Sequence, residues 1–150
     1  MVTLDTLRKA SLFEGLTDDQ LTRIAEMARE ETLEPGKVVF KENDDAEDFY
    51  AVLEGRVAIL IDIGGGRQTM VDTVTKGETF GWSSMVAPHT LTATAKAVER
   101  TRAIVLPGRE LRDFCMTDCH MCYIIMEYLA RTISIRLKDT RLQLISLMHG

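Results

Sequence analysis

Three cysteines and a histidine form the densest group of chemically reactive side chains in this 150-residue chain. Cys115, Cys119, His120 and Cys122 give a C-x3-C-x2-C pattern with the histidine inside it. The same spacing occurs in cysteine triads that hold an iron–sulfur cluster or sense oxidants. Cysteine is also among the most buried residue types when it has no chemical role, and these residues follow the apolar face of a predicted helix. We favour core packing, and keep Cys115, Cys119 and Cys122 as alternative metal or redox candidates.

Motifs that carry catalysis are missing from the sequence. It has no Walker loop, no G-x-S-x-G nucleophile motif and no dinucleotide fingerprint. The three histidines, at positions 89, 120 and 149, are scattered, whereas a metal-dependent jelly-roll enzyme needs a histidine cluster on its strands. Gly64, Gly65 and Gly66 lie between two predicted strands, so they indicate a hairpin and not a phosphate loop. We therefore expect a protein that is not an enzyme.

The composition is that of one globular domain over residues 1–150, with 45% hydrophobic and 27% charged residues. No apolar run is long enough for a membrane span or a secretory signal. We therefore expect a cytoplasmic protein with reduced cysteines and no membrane partner. Residues 1–75 carry 8 basic and 16 acidic side chains, and residues 76–150 carry 10 and 7. This balance disfavours nucleic acid as a partner, whereas the second half suits a small anionic ligand or simply a solvated helix surface.

Residues 1–30 are predicted to be a helical lead-in. Thr17 and Gln20 have the spacing of a capping box, in which each side chain bonds the other residue's backbone amide. Residues 31–107 then change to short strands separated by turns, as in Val57, Ile59, Ile61 and Ile63. Leu91, Ala93, Ala95 and Ala97 are predicted to form one face of a later strand, with Thr92, Thr94 and Lys96 on the other. About eight such strands favour a double-stranded β-helix, or jelly roll.

Residues 109–148 are predicted to be helical again, with a long final helix capped by Thr117 or Asp118. Its apolar residues follow a 4-3 spacing with one polar position: Met126, Ala130, Ile133, Leu137, Thr140, Leu144 and Leu147. This pattern is typical of a parallel coiled coil, so we expect a homodimer through the C-terminal helix. The alternative is a helix that packs only on its own barrel.

This layout resembles the cyclic nucleotide-binding domain, the sensor domain of the catabolite activator protein family and of protein kinase A regulatory subunits. The resemblance depends on four strings and their order: Leu33–Phe40, Asp48–Val57, Lys76–Gly81 and Leu91–Ala97. The final segment, with Arg136, Leu137 and Thr140 to Leu144, is similar to the family's long dimer helix. Activators of this family carry a DNA-binding domain beyond that helix, and the sequence has no such domain, so we expect a stand-alone sensor domain.

The phosphate-binding cassette of the family departs from its pattern in this sequence. The resemblance implies a glycine that admits the phosphate, a glutamate for the ribose hydroxyl and an arginine for the phosphate. Gly81 retains the first, but Trp82 stands at the glutamate position and Leu91 at the arginine position. The sequence leaves open whether Trp82 plugs the cavity or stacks on a ligand, and whether Lys96, Arg100 or a second subunit supplies the missing charge.

The candidate ligand-binding residues are those of the altered cassette and one position of the helix: Phe80, Gly81, Trp82, Ser83, Ser84, His89, Leu91, Thr92, Ala93 and Thr140. Thr140 could instead set only the register of the coiled coil. The resemblance implies a sensor domain for a cyclic nucleotide or another small anionic ligand, with an unknown output protein. The substitutions predict that cAMP and cGMP do not bind in the usual way. The first alternative is a dimerisation or interaction module that binds no ligand, and the second, which we favour less, is a cysteine-based metal or redox sensor.

Overall fold

The computed structural model describes residues 2–149 of the chain, with two four-stranded antiparallel sheets flanked by helices at both ends. The strands are β1 (Arg29–Leu33), β2 (Val38–Phe40), β3 (Asp48–Glu54), β4 (Arg56–Gly64), β5 (Arg67–Thr75), β6 (Thr79–Phe80), β7 (Thr94–Ala97) and β8 (Thr101–Pro107). The helices are α1 (Leu4–Leu7), α2 (Asp18–Met27), α3 (Gly108–Thr117) and α4 (Cys119–His149), with short 3-10 helices at Ser11–Phe13 and Trp82–Ser84. The mainly β jelly roll with flanking helices and a long C-terminal helix is confirmed.

The helical lead-in ends earlier than predicted. The capping box is present, because the Gln20 amide donates to the Thr17 hydroxyl at 3.2 Å and the Thr17 amide donates to Gln20 Oε1 at 3.0 Å. Arg29 and Glu30, however, pair with β8. The prediction that residues up to 30 are helical is therefore wrong at its end, because strand pairing with a distant segment overrides the local helical pattern.

The sheets have the strand orders β1-β8-β3-β6 and β2-β7-β4-β5. Between them lies a core that includes Tyr50, Val52, Val57 and Phe80. A second core lies between the outer face of the first sheet and the helices, and β3 contributes to both, which explains why Phe49–Leu53 is buried on both faces. The predicted turn at residues 64–66 joins β4 to β5 in the hairpin.

Strand β7 begins at Thr94, so Leu91, Thr92 and Ala93 precede it. Leu91 is buried, whereas Thr92 is exposed, as the predicted alternation requires. Within β7, Thr94 shares a face with the exposed Lys96, as predicted, but Thr94 is buried, and its hydroxyl accepts a hydrogen bond from the Glu42 amide at 2.9 Å. The Glu42 amide provides the buried Thr94 hydroxyl with the partner that a buried polar group requires.

Helix α4 contains 31 residues, a length of about 46 Å. Asp118 caps it, because its Oδ1 accepts from the Met121 amide at 3.0 Å. Met121, Ile125 and Leu129 bury the first half of the helix against the core, but from Ile133 onward most side chains are exposed. No helix among residues 2–149 is both long and apolar enough to cross a membrane.

Candidate functional site

The cassette begins where β6 ends, at a glycine that no other residue can easily replace. Gly81 has φ of +83°, and a Cβ atom there would lie 3.0 Å from the Asp48 carbonyl oxygen and 3.2 Å from the Tyr50 ring. The left-handed conformation turns the chain into the 3-10 helix Trp82–Ser84. Both the positive φ and the close contacts thus require glycine at position 81.

The cavity beside this turn has a volume of only about 40 Å³. Sites for small organic ligands are typically about 300–1,000 Å³, whereas a single water needs on the order of 10–15 Å³. The cavity is lined by Phe40, Ile59, Phe80, Gly81, Trp82, Ser83, Leu91, Thr92, Ala93 and Arg136. Trp82 and Leu91 therefore stand in the wall of a cavity with room for water but not for a nucleotide.

The sequence reasoning missed three residues of the cavity wall, Phe40, Ile59 and Arg136 of α4, and Arg136 is the charged one. Its Nη2 donates to the Thr79 carbonyl oxygen at 2.9 Å, and its Nε lies 3.3 Å from Asp72 Oδ2. The guanidinium carbon lies 4.7 Å from the centre of the Trp82 ring, a cation–π contact. Only 19% of the Arg136 side chain is exposed. A basic side chain therefore reaches the altered cassette from the C-terminal helix.

The basic residues named from the sequence do not reach the cavity. Lys96 is exposed on β7 and lines a separate surface depression with Glu42 and Asp62. Arg100 lies 3.7 Å from Glu34 in an exposed ion pair. The sequence did contain an indication of Arg136, because it lies between Ile133 and Leu137 and therefore beside the heptad seam of α4.

A groove of about 330 Å³ adjoins this cavity, between the β4–β5 hairpin and α4, and Trp82 and Arg136 line both spaces. Its apolar walls come from both elements, and two aspartates and Arg136 provide its charges. The residues are Ile59, Ile61, Val71, Asp72, Trp82, Thr92, Ala93, Ile133, Arg136, Leu137, Asp139, Thr140 and Gln143. The groove has the size of a small-molecule site, unlike the cavity behind it.

Most candidate residues meet at these two spaces, and three depart from the expected arrangement. Thr140 lines the groove and not the cavity, and its hydroxyl donates to the Arg136 carbonyl oxygen at 2.8 Å. Ser84 is buried outside both walls, where its hydroxyl donates to the Gly81 carbonyl oxygen at 2.8 Å. His89, with φ of +59°, lies in the loop before Leu91 and lines neither space. The prediction that Ser84 and His89 face a ligand is therefore not matched by their positions.

Helix α3 contacts the cassette directly. The Arg112 guanidinium donates to the Ser84 carbonyl oxygen. A Cβ atom at Gly108, the first residue of α3, would lie 2.7 Å from the Ser84 Cβ. The 3-10 helix Trp82–Ser84 is therefore in direct contact with α3, which leads into α4.

The cysteine group does not converge on a metal site. Cys115 is buried, Cys122 is half-buried and Cys119 is exposed. Burial, followed by interactions with Cys122, raises the pKa of the Cys115 thiol to about 12. Among residues 2–149, no three His, Cys, Asp or Glu side chains are placed to hold a metal ion. His120 Nδ1 instead lies 3.0 Å from the Gln20 side-chain nitrogen.

Comparison with known proteins gives a consistent family. The sequence profile of the cyclic nucleotide-binding domain matches residues 30–118. A crystal structure of a protein assigned as cyclic nucleotide-binding from Geobacter metallireducens superposes with a TM-score of 0.82, at 31% identity over 91% of this chain and 99% of that one. Among curated relatives, a protein assigned as a potassium channel from Rhodopseudomonas palustris is 32% identical over 75% of this chain.

A CRP-like cAMP-activated global transcriptional regulator from Mycobacterium tuberculosis is 23% identical over 96% of the chain. The chain spans 27% of the potassium channel relative and 62% of this regulator. The profile match covers more than half of the chain, and the fold and the glycine turn of the cassette agree with it. The chain therefore belongs to the cyclic nucleotide-binding domain family.

Proposed function

We propose that this chain is a regulatory domain that senses a small ligand but does not hold cAMP or cGMP in the usual way of its family. The observation that carries the proposal is the cavity of about 40 Å³, whose wall contains Trp82 and Leu91 at the positions of the family's glutamate and arginine. A cyclic nucleotide could enter only if Trp82 and Arg136 moved apart. The role is regulatory and not catalytic, in keeping with the matched family.

The missing side chains alone weaken nucleotide binding substantially. A charge-assisted hydrogen bond to a phosphate contributes about 1.5–3 kcal/mol, and the ribose bond about 1 kcal/mol. Losing both weakens binding by roughly 2.5–4 kcal/mol, which moves a micromolar site to tens of micromolar or beyond. Trp82 also places an indole where the glutamate would meet the ribose, which adds a steric cost.

The test uses the intrinsic fluorescence of Trp82, the single tryptophan of the chain. We expect no saturable change with cAMP or cGMP below about 10 μM, and no heat of binding by calorimetry in that range. A saturable response to either nucleotide below about 10 μM would overturn the proposal, since it would mean that another group replaces the family arginine and that the Trp82–Arg136 contact opens readily.

The signal would pass from the cassette through α3 to α4. Ser84 is the contact point, because Arg112 donates to its carbonyl oxygen and Gly108 packs against its side chain. The exposed heptad positions of α4 support a parallel homodimer whose geometry an output protein could read. The same exposed helix supports the second candidate, a dimerisation or interaction module that binds no ligand. Fluorescence titration separates the two, because only the sensor responds to a small molecule.

A further inference from the structure

We propose that the groove between the β4–β5 hairpin and α4 binds a small amphiphilic molecule with one acidic group, held by Arg136. This inference depends on the proposed sensor function and names the chemical class of its ligand. It places the ligand in the groove and not in the small cavity that adjoins it, because the groove leaves about 330 Å³ of space.

Arg136 can bind an anion while it keeps its present contacts. Its Nε faces Asp72 and its Nη2 bonds the Thr79 carbonyl oxygen. Within residues 2–149, no hydrogen bond or ion pair engages Nη1, which leaves the two hydrogens of that nitrogen available. Because four-fifths of the side chain is buried, a bond from Nη1 to an anion is less screened by water than a bond at the surface.

The walls of the groove match an apolar body. Ile59, Ile61 and Val71 face it from the hairpin, and Ile133 and Leu137 face it from α4. Covering these side chains with an aliphatic or aromatic ligand removes apolar surface from water on both sides. Trp82 also lines the groove, and its indole adds aromatic surface to these walls.

The charges of the groove limit the ligand to one acidic group. Asp72 and Asp139 line it together with Arg136, which is the one basic residue of the lining. A ligand with several negative charges, such as a nucleoside di- or triphosphate, would meet one cation and two carboxylates. Asp72 already pairs with Arg136, and Asp139 is exposed to water, which screens its charge. The position left for an acidic group is therefore Nη1 of Arg136, which can hold one such group, while the rest of the ligand meets apolar walls.

The predicted dimer helix shares this surface. Ile133, Leu137 and Thr140 belong both to the groove and to the heptad seam. In a parallel coiled coil the partner helix would lie along the open side of the groove and enclose a small ligand further. A partner helix that instead fills the groove is the competing occupant, and the experiment separates the two.

The experiment titrates the full chain with octanoate, octan-1-ol and octylamine, three probes that share an alkyl body and differ in charge. Trp82 fluorescence and calorimetry report binding, and light scattering reports the oligomeric state. We expect saturable binding of octanoate below about 1 mM, and binding of octan-1-ol at least tenfold weaker, because an ionic bond to Arg136 is lost. No binding of octanoate, equal binding of the alcohol, or preference for the amine would each overturn the proposal.

A matched pair of variants on the hairpin tests the location. Val71→Glu adds a carboxylate to the groove wall, whereas Ile63→Glu adds one further along β4, outside the groove. Both positions are exposed, at 42% and 56%, so both variants should fold. Val71→Glu should weaken octanoate binding at least tenfold and Ile63→Glu should leave it within twofold. Equal effects of the two, or a change in dimerisation with no change in octanoate binding for Val71→Glu, would contradict a small-molecule site.

The failure of this inference differs from that of the proposed function. If neither octanoate nor a cyclic nucleotide binds, the inference about the groove is contradicted, but the proposal that the cassette does not hold cAMP or cGMP in the usual way is not. If cAMP or cGMP binds below about 10 μM, the proposed function is contradicted, whether or not octanoate binds. Arg136→Met provides the final check, since it should abolish the preference for octanoate over octan-1-ol.

Discussion

The guanidinium of Arg136 lies over the indole of Trp82, with the guanidinium carbon 4.7 Å from the ring centre. This contact joins the C-terminal helix to the residue that replaces the cassette glutamate. Asp72 and the Thr79 carbonyl hold the same guanidinium from the sheet side. Three interactions therefore hold the Arg136 side chain against the cassette.

Arg136→Met keeps an unbranched apolar stem but removes the guanidinium group and its charge. We expect the free energy of unfolding to fall by about 1–2 kcal/mol, because a largely buried cation–π contact and a charged hydrogen bond are lost. The fluorescence emission of Trp82 should shift, because the guanidinium that lies over its ring is removed. Urea unfolding followed by circular dichroism measures the first effect. Arg131→Met, at an exposed Glu127 pair on the same helix, should cost under about 0.5 kcal/mol; equal costs would contradict a special role of Arg136.

Restoring the family residues should restore nucleotide affinity. Trp82→Glu with Leu91→Arg returns the ribose acceptor and the phosphate cation to their places, and removes the indole from the cavity wall. We expect cAMP or cGMP to bind by calorimetry at least tenfold tighter than to the unchanged chain. The single variant Leu91→Arg is the control, and it should bind weakly because Trp82 still fills the space. A double variant that is folded by circular dichroism but gains no affinity would contradict the cassette assignment.

Gly81→Ala should destabilise the cassette turn. The position has φ of +83° and a Cβ would lie 3.0 Å from the Asp48 carbonyl oxygen, so both backbone strain and a close contact oppose alanine. We expect a loss of about 2 kcal/mol in the free energy of unfolding. Gly65→Ala, also at positive φ but with no atom within 4 Å, isolates the strain and should cost about 1 kcal/mol. Denaturant unfolding compares the two, and an equal cost would count against the close contact.

Asp118 should make the stability of the α3–α4 junction pH-dependent. The hydrogen bond from the Met121 amide, followed by one from Gln20, lowers the pKa of its carboxyl group below the usual range. A carboxyl with a lowered folded-state pKa stabilises the fold above its unfolded pKa of about 3.9, and this stabilisation is lost as the pH falls through the folded value. Asp118→Ala should therefore lower the melting temperature at pH 7, and the difference from the unchanged chain should shrink below about pH 4.

The control for this cap is Asp139→Ala, an exposed aspartate within α4. It has no capping bond to lose, so its melting temperature should stay close to that of the unchanged chain at both pH values. A difference for Asp118→Ala that stays constant from pH 7 to pH 3 would show that packing, and not the ionised cap, is responsible.

The heptad seam of α4 predicts a dimer that one charge can break. Leu144 belongs to the seam and Leu142 does not, yet they are 57% and 54% exposed. Leu144→Glu should convert a dimer into a monomer at micromolar concentration, because a buried carboxylate at a seam position opposes helix pairing. Leu142→Glu should remain a dimer. Size-exclusion chromatography with light scattering measures the mass of each variant. If the unchanged chain is itself a monomer, the predicted homodimer is wrong.

Local signals in the sequence determined most of the fold. The Thr17–Gln20 capping box, the alternation along β4 and the glycine turn after it all act between neighbours in the chain, so they could be recognised from spacing alone. The replacements at Trp82 and Leu91 were equally visible, because they depend only on distance from Gly81. In each of these features, the residues that interact are also close together in the sequence.

The sequence did not reveal which side chains face each other across the molecule. Arg136 reaches Trp82 and Asp72 only because α4 returns along the β4–β5 hairpin, and no periodicity in the chain encodes that pairing. For the same reason His89, close to the cassette in sequence, lies outside both the cavity and the groove. Tertiary packing decided that the cavity at the cassette is small and that the larger space lies beside it, because the size of a cavity depends on side chains contributed by distant elements.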